Sequence, residues 1–342
     1  MLCIYLSAVM NILIKNLLLV FSIIFLNPIW GQNTEFKIAT LAPEGSAWMQ
    51  RFSTAADDIY EQTDGRVSIR YYAGGVMGDE NQVLQKMRFG QLNGGMFTAS
   101  GLIQRYAGLN NYTIPFLFRD AEEVNNVRER YDQILIDQLG DAGLKSFGLI
   151  TGGYAYVFSK EPIENLQQLS SLRVWSPEGD PISFSALETL DLSPIEMPIS
   201  DVLLGLQTGL VDIVSATTSA ALILQWHTIV RYMIDLPILY TIGTLVIDNR
   251  AFNRLSPQDQ LIVATHLNNA SLDLDALAES DHQQALNVLS QFGLQITSID
   301  QNSLDQWYDR VDEGIDQISL NRNIDTESLE SIYSFLNEYR AQ

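Results

Sequence analysis

The chain is 342 residues long, room for two domains of ordinary size, and its 46% apolar residues exclude a disordered protein. With 41 acidic against 20 basic residues the formal net charge is −21, which excludes nucleic acid and anionic lipid headgroups as partners. That charge leaves the ligand open, because the local field of a pocket can oppose the net charge.

The first thirty residues stand apart. Lys15 is the only charge before Glu35, and Leu17 to Leu26 is an almost unbroken apolar run. Asn27-Pro28 breaks the run ahead of Gly31, a small residue where a signal peptidase would cut. A short positive region, about ten apolar residues and a small-residue site describe a signal peptide over 1–31. A membrane span wants roughly 20 apolar residues, so an uncleaved anchor is the lesser alternative. Export to the periplasm follows, with Met10 as an alternative start. The sole cysteine, Cys3, lies inside this leader, so the mature chain is expected to lack thiol chemistry.

Beyond the leader, 36–41 reads as a buried strand. After Pro43-Glu44-Gly45-Ser46, the residues Trp48, Phe52, Ala55 and Ile59 recur at helical spacing, which predicts Trp48 on the core face. Asp64-Gly65 turns the chain, and Val67, Ile69 and Tyr71 alternate as a half-buried strand does. Gly74-Gly75 lead to a helix carrying Val83 and Met87, and 94–98 enters as another strand. This order predicts a parallel α/β sheet. The pattern restarts after a loop and helix over 115–139. Strands are expected at 144–150, 172–175, 193–197 and 210–215, with helices at 181–190, 200–207 and 219–232. Ser256-Pro257-Gln258-Asp259 is a good helix start: serine caps, proline suits the first turn and an acid follows. The helical pattern then runs to Gln291; about 35 residues at ~1.5 Å each span roughly 50 Å, more than one such domain. The helix is therefore expected to lie across both halves, with a kink near Asn268-Asn269 as the rival reading. A last helix is expected over 327–339.

Catalytic motifs are absent from the sequence. It has no phosphate-cradling Gly-x-x-x-x-Gly-Lys-Ser/Thr or Gly-x-Gly-x-x-Gly run and no Gly-x-Ser-x-Gly elbow. His227, His266 and His282 lack metal-ligand spacing and read as surface or boundary residues of helices. Asp57-Asp58 and Glu122-Glu123 read as solvated helix faces. The chain is therefore read as a binding protein rather than an enzyme, with a hydrolase using two isolated acids as a remote alternative.

Six segments then occur in order. They are Ile38-Ala-Thr-Leu-Ala-Pro-Glu-Gly-Ser46 with Trp48, Tyr72-Ala-Gly-Gly-Val-Met-Gly-Asp-Glu80 and Pro115-Phe-Leu-Phe-Arg-Asp120. Phe158-Ser-Lys-Glu-Pro-Ile163, Leu206-Gln-Thr-Gly-Leu-Val-Asp212 and Asn249-Arg-Ala-Phe-Asn-Arg-Leu-Ser-Pro257 follow. In these the chain resembles the DctP-type substrate-binding proteins of TRAP (tripartite ATP-independent periplasmic) transporters. The resemblance implies a two-lobed, periplasmic-binding-protein-like α/β fold. Each lobe would be a mostly parallel sheet flanked by helices, with the long helix bridging the two. Lobe one would be 32–152 plus 242–281, and lobe two 153–241 plus 282–342. It implies capture of a small organic ligand, such as a carboxylate, by lobe closure and delivery to the permease subunits of a secondary transporter. A sensory subunit presenting its ligand to a membrane kinase would use the same clamp.

Departures from the family pattern bear on the ligand. Members that bind carboxylates carry Leu-Lys-x-Arg-x-Pro, whereas this chain has Leu172-Arg173-Val174-Trp175-Ser176-Pro177. Trp175 thus takes the place of the clamping arginine. Arg173, one pleat back on the same face, would reach inward or form a structural ion pair. Ala216 replaces an asparagine of the family, and Ala155 an arginine of its sialic-acid-type members. Either the ligand carries its carboxylate elsewhere or lacks one, or a bound cation bridges it; no other cofactor is implied. The candidate site comprises Trp175, Tyr154 and Trp226 as aromatic walls and Ser176, Thr217, Thr218 and Thr98 as neutral hydrogen-bonding groups. Glu178 and Asp180 stand at the mouth, with Arg173 behind. A core position within a helix over 219–232 is the other reading of Trp226.

Overall fold

A computed structural model describes residues 33–163, 165–300, 304–308, 310 and 325–341. The leader, with Cys3 and Lys15, lies outside the described residues. The chain from Glu35 onward forms one unit.

Strands β1 (Thr34–Ala39), β2 (Val67–Tyr72) and β3 (Gly94–Thr98) alternate with the helices Ala47–Gln62 and Glu80–Arg88. Ser46 caps the first helix by accepting from the Met49 amide at 3.3 Å. Its buried face is Met49, Phe52, Ala55, Ala56 and Ile59. This corrects the placement of Trp48. Met49 occupies the core position one residue on, and Trp48, rotated by one step of the helix, stays partly exposed. Strands β4 (Leu144–Ser146) and β5 (Ile150–Ser159) follow the helix Ala121–Asp141. The second block carries β6 (Arg173–Pro177), β7 (Ser193–Met197), β8 (Ile213–Ala216) and β9 (Tyr232–Ile234). Strands β10 (Leu239–Asp248) and β11 (Gln295–Thr297) complete the set among the described residues.

The main path of the sheet runs β2-β1-β3-β10-β5-β8-β6-β7. Its two outer parts are parallel, β1 with β3 at one end and β8, β6 and β7 at the other. Between them lie the two ten-residue strands β5 and β10, antiparallel to each other and to their outer neighbours. The fold is thus two-lobed, and the lobes share crossing strands. The β5–β10 register shifts between Thr241 and Ile242, opposite Gly152-Gly153, and Gly153 takes a φ of +85°. That left-handed conformation is one a side chain would oppose. Glycine and bulge together place a bend where the chain passes between lobes.

The helix Pro257–Gln291 is continuous for 35 residues, without the alternative kink at Asn268-Asn269. Val263, Leu267, Ala270 and Leu274 pack with Phe36, Ile38 and Phe52, while Leu286 and Leu289 pack with Phe158, Trp175 and Val214. One helix thus joins both cores. Two expectations need correcting. The helix over 219–232 ends at Ile223: Gln225 takes a φ of +61°, Trp226–Thr228 form a 3-10 turn, and Tyr232 opens strand β9. The closing helix Thr326–Arg340 packs on Ala121–Asp141, with Arg340 paired to Glu123 at 2.7 Å, so its contacts do not follow the expected lobe boundaries.

Candidate functional site: a cavity between the lobes

A cavity of about 340 Å³ lies where the two halves of the sheet face each other. Lobe one contributes Trp48, Met96, Phe97 and Thr98, the crossing strands Thr151, Gly152, Thr241 and Ile242, and lobe two Trp175, Pro177 and Ala216. The long helix adds Leu274, Ala278 and Asp281, which fall at helical spacing on one face. Three hydrogen bonds cross the cleft. Ser100 Oγ donates to Asp180 at 2.7 Å, Asn110 Nδ2 to Asp180 at 3.4 Å, and Asn81 Nδ2 to Glu178 at 3.3 Å. Asp180 also caps the helix Pro181–Thr189, accepting from the amides of Ile182 and Ser183, and is fully buried. The lobes are therefore in contact around the cavity.

Of the residues singled out in the sequence, Trp175, Trp226, Thr217, Thr98 and Glu178 come together on the cavity wall. The rings of Trp175 and Trp226 meet edge to face at 5.4 Å, and Trp175 Nε1 donates to the Met197 carbonyl at 3.0 Å. Both rings belong to the lobe-two core as well as to the wall. Thr217 caps the helix Thr218–Ile223, and Thr98 donates to Glu80 at 3.0 Å.

Asp180, expected at the mouth, is instead buried and bridges the cleft, and the other four lie apart from the wall. Strand alternation explains Ser176: Trp175 and Pro177 face the cavity, so the residue between them points to the opposite side, where its Oγ is buried without a partner among the described residues. Thr218 is buried behind the wall and bonds His282 Nδ1 at 3.0 Å. Tyr154 packs edge to face on Tyr240 at 5.4 Å, and its hydroxyl, unpartnered among the described residues, has its pKa pushed up by burial. Arg173 is exposed and holds Asp212 through two bonds of 2.9 and 3.1 Å, so the ion-pair reading is the one the structure bears out.

Ala155 and Ala216, which replace polar residues of the family, both line the cavity, as does Trp175. The missing clamp is thus missing where a ligand would sit. Sequence reasoning overlooked three cavity acids, Asp79, Glu80 and Asp281. Glu80 accepts from the Thr98 amide at 2.6 Å; it keeps some contact with the open cavity but is otherwise enclosed, and that loss of solvent raises its carboxyl to about 7. Asp281 has no hydrogen-bond or ion-pair partner among the described residues, and burial raises its pKa. Glu80 stood in a quoted segment, and Asp281 could have been found from the periodicity of Leu274 and Ala278. Among the described residues no group of three His, Cys, Asp or Glu is placed to hold a metal ion.

Residues 38–321 match the DctP family, bacterial extracellular solute-binding protein family 7. The chain belongs to this family. Its members bind solutes and are not enzymes as a class. A relative in Escherichia coli (strain K12), the 2,3-diketo-L-gulonate-binding periplasmic protein YiaO, is 21% identical over 250 residues, covering 72% of this chain and 76% of its own. Among solved structures, a TRAP periplasmic solute-binding protein from Citrobacter koseri with bound D-glucuronate superposes with a TM-score of 0.78. It is 19% identical, covering 88% of this chain and 99% of its own. A Desulfovibrio salexigens protein with bound orotic acid gives 0.80 at 17% identity, over 90% of this chain and 99% of its own. At such identities the superpositions show the shared two-lobed fold.

Proposed function

We propose that the protein is the periplasmic receptor of a TRAP-type secondary transporter. It captures a small organic molecule between its lobes and hands it to the membrane permease. The observation that carries this reading is the cavity of about 340 Å³ enclosed where a family-7 chain bends, with Asp180 bridging the two sides. The leader over 1–31 supports export. The hinge of this reading is Gly152-Gly153 with Thr241-Ile242, supported by the register shift and the positive φ of Gly153 there.

The cross-cleft bonds hold the two sides together around the cavity, so a ligand filling it favours that closed arrangement and couples binding to closure. Small-angle scattering should show a smaller radius of gyration with saturating ligand than without. An unchanged radius for a ligand that calorimetry confirms would remove the clamp. Mass spectrometry of the periplasmic fraction should find a mature chain beginning near Gln32; recovery of Leu17 to Leu26 in that chain would remove the cleaved leader.

A further inference from the structure

We propose that the ligand of this cavity is an organic cation: an amine or quaternary ammonium carried on an apolar body. The inference rests on the receptor reading and names the chemical class that the site selects.

The first observation is charge. The cavity wall carries four carboxylates, Asp79, Glu80, Glu178 and Asp281, and no Lys, Arg or His among its described residues. Two arginines that could serve as an anion clamp are engaged elsewhere. Arg173 is held by Asp212, and Arg128 by Asp132 and Asp275. The positions at which the resemblance expects polar contacts to a carboxylate are Trp175, Ala216 and Ala155. The second observation is the supply of donors. Thr98 donates to Glu80, Ser100 and Ser183 to Asp180, and Thr241 to the Gly153 carbonyl. These hydroxyls already serve the protein, so among the described cavity residues the hydroxyl donors left for a ligand are those of Ser46, Ser215, Thr217 and Ser219.

The third observation is Asp281, partly buried on the long helix and without a partner among the described residues. An ionised carboxylate in such a place is stabilised by an opposite charge and destabilised by further desolvation. An anionic ligand would be repelled by it, and a neutral apolar ligand would strip water from it and offer nothing in return. A cation with N–H groups improves its situation most, since charge-assisted hydrogen bonds to a carboxylate are stronger than those from a neutral hydroxyl. The aromatic rings of Trp48, Trp175 and Trp226 complete the match, since indole walls hold both apolar groups and cations.

The test uses the mature protein and four probes at neutral pH: 2-phenylethylammonium, 3-phenylpropan-1-ol, 3-phenylpropionate and D-glucuronate. Calorimetry should find the ammonium binding about tenfold or more tighter than the alcohol, with both anions weaker still. Asp281→Asn should weaken the ammonium about tenfold and weaken the alcohol not at all, since the desolvation cost it imposes on a neutral ligand is removed. Equal or tighter binding of either anion, parity of ammonium and alcohol, no ammonium binding at millimolar concentration, or indifference to Asp281→Asn would each overturn the inference. Scattering on the same samples separates the two readings. If an anion binds and the lobes close, the receptor stands and only the charge assignment falls. If a bound probe leaves the radius of gyration unchanged, the clamp itself is at fault.

Discussion

The hinge and the cavity lie a few residues apart and handle charge in opposite ways. At the hinge, Arg128 reaches Asp132 at 3.0 Å, Asp275 at 2.8 Å and the Leu149 carbonyl at 3.0 Å. Asp275 in turn accepts from the Thr151 amide at 2.8 Å, so one ion-pair network ties two helices to the first residues of β5. Burial works against the guanidinium's charge, but Asp132 and Asp275 outweigh it and hold the Arg128 pKa above its ordinary value. In the cavity no such cation is supplied: Glu80 rests on neutral Thr98, and Asp281 rests on nothing among the described residues. The contrast is one of balance: the acids beside β5 are matched by Arg128, whereas those of the cavity have no cation beside them among the described residues.

The contrast is broken most severely at Arg128. Replacing it with leucine leaves Asp132 and Asp275 without their partner, and breaking a buried pair in this way costs about 3 kcal/mol or more of stability. Urea unfolding of Arg128→Leu should show a lower midpoint by a corresponding margin. An unaltered midpoint would mean that the network does not support the hinge.

Trp175 comes next. An alanine there would empty part of the lobe-two core as well as the wall, so phenylalanine is the cleaner change. Trp175→Phe removes one of two donors to the Met197 carbonyl, which keeps the Glu178 amide at 3.2 Å, at roughly 1 kcal/mol of stability. Ligand affinity should fall about fivefold, an effect of similar size. Unchanged affinity by calorimetry would confine the ring to the core.

Glu80 sharpens the comparison through pH. Its carboxyl titrates at about 7 in the folded protein against an ordinary 4.5, so the native state holds the proton more tightly than the unfolded chain. The stabilisation is complete below the unfolded value and is lost as pH rises through about 7. Melting temperatures of the ligand-free protein should therefore decline across that window, and Glu80→Gln should flatten the decline. A slope identical in both proteins would assign it to another group.

Arg173 marks the small end. Its pair with Asp212 is half exposed at the arginine side, where solvent screens it. Arg173→Ala should lower the melting temperature only slightly and leave ligand affinity unchanged. A marked loss of affinity would return Arg173 to the site.

Much of this was legible in the sequence. Ser256-Pro257 and the breaker-free run to Gln291 specified the long helix, because capping and period are local properties. Strands β3 and β7 followed from short apolar runs between turn residues. The six ordered segments pointed to the family, and the family to the two-lobed fold. Strand β10 was less visible: an unbroken apolar run can be read as strand or helix, and only its pairing with β3 and β5 decides.

The site was read in part for similar reasons. Trp175 and Glu178 could be placed on the cavity from their order along the chain, but Ser176 and Thr218 could not be separated from their neighbours without knowing which way each element turns. Tyr154 was drawn away by Tyr240, a residue eighty-six positions distant whose ring it meets edge to face. What the sequence determined by itself was the local: caps, periods and the tryptophan at 175. What only the tertiary structure decided was which residues face one another across the cleft. Charge balance in a cavity is a property of that assembly, since a carboxylate is unpaired only in relation to everything folded around it.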